Sequence, residues 1–172
     1  MDINELIAIV KKKIENNTSC EKIEIEDETN EFSINMSNYR QWNDNLKTYI
    51  NSCLEGVEGD RQKNFNMRWI GSLVADAWRI FSRGGIFLYT EDKREGYESG
   101  RLRLLYEANP ISFLVEQAGG KSTNGNQSIL SIKPMDLHQR TPLVFGSKKE
   151  VQIYEDTKNN NKKLSSHKIK LL

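Results

Sequence analysis

The sequence predicts an α/β layered domain, a sheet flanked by helices, and three observations carry that prediction. Short apolar runs at strand spacing alternate with segments whose apolar residues recur every three or four positions. Ile86-Phe87-Leu88-Tyr89 is too continuously apolar for a half-exposed strand, so it belongs at the centre of a covered sheet. Gly100-Arg101-Leu102-Arg103-Leu104-Leu105-Tyr106-Glu107-Ala108-Asn109-Pro110 reads as strand, charged corner and helix start in one piece. Such corners collect phosphates and metals in α/β proteins, because helix amides and side chains converge just past the strand's carboxyl end. With 172 residues and no internal repeat, the chain fits one domain that buries roughly two-thirds of its unfolded surface.

Taken in order, residues 1–17 read as a short amphipathic helix. Asp2 and Glu5 make a capping box, and Leu6, Ile7, Val10 and Ile14 make the apolar stripe. Lys22-Ile23-Glu24-Ile25-Glu26 alternates as a half-exposed strand does, and Phe32-Ser33-Ile34-Asn35 repeats that alternation. A helix follows over 42–54 on Trp42, Leu46, Tyr49, Ile50 and Cys53, then a polar loop over 56–64. The spacing predicts a second helix over 66–81, with Ile70, Leu73, Val74, Ala77, Trp78 and Phe81 on a wide buried face, ended by Gly84-Gly85. Beyond the central strand and a charged loop over 90–99, Asn109 is a suitable N-cap for a helix that Gly119-Gly120 stop. Residues 121–127 read as turns, 129–132 and 141–146 as strands, and Ser147 with Glu150 as the capping box of a helix to about Asp156. From Lys158 the Asn- and Lys-rich composition predicts a mobile basic tail.

Lys plus Arg number 25 against 24 Asp plus Glu, a net charge of +1 that lacks the basic excess of a dedicated nucleic-acid binder. No run approaches the ~18 apolar residues of a membrane span, and the N-terminus has no secretory core. Cys20 and Cys53 have no metal-ligand spacing and read as reduced thiols of a cytoplasmic protein. With two histidines, His138 and His167, a multi-histidine metal site within the chain is excluded, so any hard cation must be held by carboxylates.

Walker, dinucleotide and nucleophile-elbow motifs are absent, which moves attention to charged residues at element ends. Arg68, Tyr89, Arg101 and Arg103 could meet a phosphate, and Glu107 could meet a divalent cation. Each has an ordinary structural reading as well. These are a snorkelling arginine for Arg68, a core tyrosine for Tyr89, a salt-bridged sheet face for Arg101 and Arg103, and a carboxylate beside a helix N-terminus for Glu107.

The stretch from Gly100 to Ser112 closely resembles the active-site signature of class I fructose-1,6-bisphosphatases. Further motifs recur in order: Phe32-Ser33-Ile34-Asn35-Met36-Ser37-Asn38, Arg68-Trp69-Ile70-Gly71-Ser72-Leu73-Val74-Ala75-Asp76, Gly84-Gly85-Ile86-Phe87-Leu88-Tyr89, Glu116-Gln117-Ala118-Gly119-Gly120 and Asp136-Leu137-His138-Gln139-Arg140. The resemblance covers about Ile23 to Tyr154 and corresponds to the C-terminal half of that enzyme. It implies a layered sandwich with a mixed β-sheet over residues 21–157, an extra N-terminal helix over 1–20 and a tail over 158–172.

It also implies metal-dependent hydrolysis of the 1-phosphate of fructose 1,6-bisphosphate to fructose 6-phosphate, with Mg²⁺ or Mn²⁺. Asn35 and Tyr89 would bind the sugar's 6-phosphate, and Arg68 would reach that phosphate in a neighbouring subunit. Arg101 stands for a lysine that touches sugar and phosphate, and Glu107 matches one metal ligand. The remaining ligands lie in an aspartate-rich motif of the N-terminal half, and no Asp-Pro dipeptide occurs here. The initial Met and the extra helix fit a naturally short product. Three readings stand: a half-enzyme active when another chain supplies the metal-bearing half, an inactive sugar-phosphate-binding fragment, or an interaction module built on the old oligomer interface. The partners implied are the sugar phosphate and a second copy or complementing half, with neither nucleic acid nor membrane.

Overall fold

The computed structural model describes Ile25 and residues 30–169, with side chains through residue 159. The helix expected over 1–17, and all but Ile25 of the strand expected over 22–26, lie outside the described residues. Among the described residues there are seven strands and four α-helices: β1 (Glu31–Ser33), α1 (Asp44–Leu54), β2 (Asn66–Met67), α2 (Leu73–Arg83), β3 (Ile86–Tyr89), β4 (Leu102–Arg103), α3 (Asn109–Gln117), β5 (Lys121–Thr123), β6 (Arg140–Thr141), β7 (Leu143–Gly146) and α4 (Lys148–Ile169). Among the described residues, five strands join in the order β2-β1-β3-β7-β5, and β4 pairs with β6 in a separate ribbon. The large sheet is mixed, with β1 parallel to β2 and β3, and β7 antiparallel to β3 and β5. No helix among the described residues is long and apolar enough to cross a membrane.

Strand pleating splits the core in two. Ile86, Leu88 and Val144 face α1 and α4, where they pack with Leu46, Tyr49, Ile50 and Val151. Phe87, Leu143 and Phe145 face the other way, onto Ala77 and Ile80 of α2 and Val115 of α3. Each fully buried large apolar side chain contributes about 1.5–3 kcal/mol, so both sheet faces are strongly held. The result is helix, sheet, helix in three layers, with β3 in the middle as its composition required.

Several elements depart from the sequence expectation. The alternation at 32–35 suggested one solvent face, yet β1 is buried throughout. Its polar side is roofed by α2, where Ser33 Oγ donates to Asp76 (2.6 Å) and Arg79 donates to Glu31 (2.6 Å). The helix expected from Asn66 begins at Leu73. Asn66 and Met67 are instead an edge strand beside β1, and Gly71 turns the chain at φ +82° before the helix starts.

Of the expected wide apolar face, Ala77 is buried, while Ile70, Val74 and Trp78 are 55%, 74% and 66% exposed. The sheet covers a single stripe of α2, and the second stripe points away from the core.

Asn109 does not cap a helix start. A π-helical turn over Leu104–Ala108 runs straight into α3, so Asn109 is helical at φ −61°, ψ −48° and donates to Leu104 O. Pro110 brings no N–H of its own, and a wider turn is one way for a helix to absorb that loss. Lys121–Thr123 is a strand rather than turns, recruited by pairing with β7. Ile129–Ser131 is a 3-10 turn rather than a strand. The run 141–146 is two strands, because Pro142 carries the chain from the small ribbon into the large sheet. The last helix runs to Ile169, beyond the Asp156 limit read from its spacing.

Candidate functional site

Three of the candidate residues come together at the carboxyl ends of β1 and β3. Asn35 leaves β1 as the cap of a 3-10 turn over Met36–Gln41, its Oδ1 accepting from Ser37 N (3.2 Å) and Ser37 Oγ (2.6 Å). That use of Oδ1 leaves the Asn35 amide as a pair of donors, the polarity an anion requires. Tyr89 ends β3 and shares a shallow cleft with Asn35, Asn38, Trp42, Thr90 and Asp92. Arg101 joins from the far end of the charged loop, its guanidinium carbon 5.6 Å from the Tyr89 ring centre and 4.4 Å from that of Tyr97. Trp69 backs Tyr89 at 5.9 Å between ring centres and stacks on Phe87 at the same distance, so the aromatic wall is anchored in the core.

Asp92 brings a carboxylate to the same cleft, which would oppose a phosphate if left unpaired. Arg94 answers it with Nε donating to Oδ1 (2.9 Å), and the Arg94 backbone amide donates to that oxygen as well (3.0 Å). The Arg94 bond foremost, then its backbone amide and the positive charge of Arg101, hold the Asp92 carboxyl below the usual carboxylate range, against the opposing effect of burial.

Arg68 and Glu107 do not line this cleft. The Arg68 side chain is half exposed and lies 3.9 Å from a Glu31 carboxylate oxygen, among Arg79 and Arg83. Glu107 accepts the backbone N–H of Arg103 at 2.6 Å, which is the helix-start role open to any carboxylate at that position. Among the described residues, no group of three or more His, Cys, Asp or Glu could hold a metal ion. Glu107 is therefore a single carboxylate already engaged with an amide, and these residues do not by themselves make a magnesium or manganese site. Arg101 and Arg103 also part company. Arg101 precedes the two-residue strand β4, and Arg103 Nη1 turns back to the Arg101 carbonyl (3.1 Å).

Two contributors escaped sequence reasoning. Asp76, fully buried in α2, accepts from Ser33 Oγ and from the Ile70 and Gly71 amides (3.4 and 3.1 Å). It thereby ties the segment after Arg68 to the strand that delivers Asn35. Tyr97 lies in a loop whose spacing carries no periodic signal, and only the fold brings it against Arg101. The Asp136–Arg140 motif is stitched to the signature stretch by Gln139 O accepting from Leu104 N (2.8 Å) and by the hydrogen bond between the Tyr106 hydroxyl and His138 Nδ1 (2.9 Å).

A family model described as the fructose-1-6-bisphosphatase C-terminal domain matches residues 25–159. A class 1 fructose-1,6-bisphosphatase of Azorhizobium caulinodans is 60% identical over 131 residues, covering 76% of this chain and 40% of that protein. One from Xanthobacter autotrophicus is 58% identical over 130 residues, with the same two coverages. Among solved structures, the holo form of Leishmania major fructose-1,6-bisphosphatase superposes with a TM-score of 0.73 at 39% identity, over 79% of this chain and 41% of that one. The chain thus spans about two-fifths of the length of the curated relatives it matches.

Proposed function

The chain belongs to the fructose-1,6-bisphosphatase family, in the part that forms its C-terminal domain, and from that premise we propose that it binds a sugar phosphate. The observation that supports this most directly is the cleft that Asn35 and Tyr89 share, a donor amide and a phenol, with the Arg101 guanidinium 5.6 Å from the Tyr89 ring centre. A phosphate leaving water needs several such partners at once, and charge-assisted bonds from arginine are the strongest of them. Arg68 lies outside the cleft on an exposed edge, which suits a residue that serves the site of a neighbouring copy.

In the full reading, the chain is the sugar-phosphate half of a cytoplasmic phosphatase. It hydrolyses the 1-phosphate of fructose 1,6-bisphosphate to fructose 6-phosphate in gluconeogenesis when a second chain supplies the metal-bearing half. Glu107 is then one ligand of a magnesium or manganese site completed by that partner. The domain boundaries follow the same reading: an appended segment over 1–20, the family domain over 21–157 and a basic tail over 158–172.

Calorimetric titration of fructose 6-phosphate into the wild type and Arg101→Ala tests the binding claim. The expected outcome is millimolar or tighter binding that weakens at least tenfold in the variant. Phosphate release from fructose 1,6-bisphosphate with Mg²⁺ is expected from the chain mixed with the N-terminal half of the Azorhizobium relative and not from the chain alone. Turnover by the chain alone would contradict the incompleteness of its metal site. A second reading, an interaction module without substrate, draws support from the exposed apolar stripe on α2. An absence of binding heat in the millimolar range would favour it.

A further inference from the structure

The Arg101 guanidinium lies against two aromatic rings, yet among the described residues its N–H groups have no partner of their own. Its carbon sits 4.4 Å from the Tyr97 ring centre and 5.6 Å from that of Tyr89, within cation–π range of both. Among the described residues, its side chain forms no hydrogen bond or ion pair, in contrast to Arg61, Arg79 and Arg94. The ring contacts use none of its N–H donors, so the planar fork that recognises anions remains unspent.

Tyr97 is itself well held. Its carbonyl accepts from Asp92 N (3.3 Å) and Gly100 N (3.0 Å), and its amide donates to Arg94 O (3.0 Å). Arg94 also lies over the ring at 4.5 Å. Two cations on one ring repel each other, but Arg94 is neutralised by its fork to Asp92. The ring is thus braced by Arg94, whose side chain is paired with Asp92, and by Arg101, whose side chain makes no hydrogen bond or ion pair of its own among the described residues.

We propose that Tyr97 is a positioning residue that clamps Arg101 against Tyr89, presenting the guanidinium edge to an anion in the Asn35–Tyr89 cleft. A lysine at 101 has no flat face to be clamped, so Tyr97 and Arg101 act as a pair. The role in ligand binding rests on the sugar-phosphate reading above, while the clamp in the free chain does not.

The clamp is read first without any substitution. In the ligand-free wild type, the δ-methylene protons of Arg101 should be shifted upfield in the NMR spectrum by the tyrosine rings. That shift should survive Tyr97→Phe and collapse in Tyr97→Leu; an unshifted wild-type resonance overturns the proposal. Calorimetry with fructose 6-phosphate then supplies the functional arm. Tyr97→Leu should weaken binding about three- to fivefold, Tyr97→Phe should restore it, and in an Arg101→Lys background Tyr97→Leu should cost less than twofold. Equal losses in both backgrounds, or wild-type affinity in Tyr97→Leu, overturn the pairing. An upfield shift with no wild-type binding heat would overturn the sugar-phosphate reading, a failure distinct from loss of the clamp.

Discussion

Single residues do much of the holding in this domain, and the buried Glu150 shows how. Arg61 forks onto it at 2.6 and 2.7 Å, and the Tyr49 hydroxyl donates to it at 3.0 Å. The pair is nearly dry, with side chains 13% and 4% exposed. Removing one partner leaves the other charge buried and unanswered, so Arg61→Ala should lower stability by about 3–5 kcal/mol, measured by urea denaturation. Cys53 lies in the same pocket, and burial pushes its thiol up to about 11, the dominant effect, with Arg61 pulling the other way. In a Cys20→Ser background, Ellman's reagent at pH 8 should therefore react with Cys53 only as fast as the domain opens. Because the folded pKa is raised, this group's contribution to stability is complete below the unfolded thiol pKa of about 8.5 and fades as pH rises through 11. None of these roles was legible in the sequence. The motif residues stood out by resemblance, but what Asp76 and Glu150 do depends on residues brought from distant parts of the chain, and what Tyr97 does depends on a loop turn that no periodicity reports.

At the scale of elements, strongly periodic segments were legible and their ends were not. The helix over 42–54 and the central strand follow the expected pattern, because burial of one stripe or of both faces dictates them. The helix expected from Asn66 failed because Asp76 and the edge of β1 claim the segment before Leu73, and no local propensity reports that. β5 was unreadable for a similar reason, since a polar Lys-Ser-Thr triplet becomes a strand through its partner β7.

The junction of the signature stretch with the small ribbon yields a sharper test. Gly100 has φ +81°, and a Cβ there would collide with the backbone of Thr141 and Pro142. Gly96 has a similar φ of +77° and open space around it. Gly100→Ala should therefore destabilise by about 1–3 kcal/mol, and Gly96→Ala by about 1 kcal/mol. The difference is read in melting temperature, and equal losses would mean that crowding at the ribbon adds nothing.

For the whole molecule, the mixed sheet and its three layers were foreseen, whereas the strand order was not, because alternation along a chain does not say which strands are neighbours. The exposed stripe of Ile70, Val74 and Trp78 is likewise a property of the assembled domain. In sequence it reads as core, and in space it is surface. Replacing Val74 and Trp78 together by Lys should leave stability within about 0.5 kcal/mol and reduce binding of a hydrophobic dye. A loss of several kcal/mol would mean that those side chains are buried in the working protein, whether by a second copy or by another chain.

The central pairing of β3 with β7 sets the tempo at which this domain can assemble. Ile86 meets Gly146 and Tyr89 meets Leu143, so the middle of the sheet closes only after all the intervening chain has been looped out. Closing so large a loop is entropically costly before any contact rewards it, which puts the domain among slow folders for its size. While that loop stays open, the edges of β3 and β7 that face each other in the finished sheet have no partner. A nascent chain is then most exposed to aggregation at the point where its finished form is most secure.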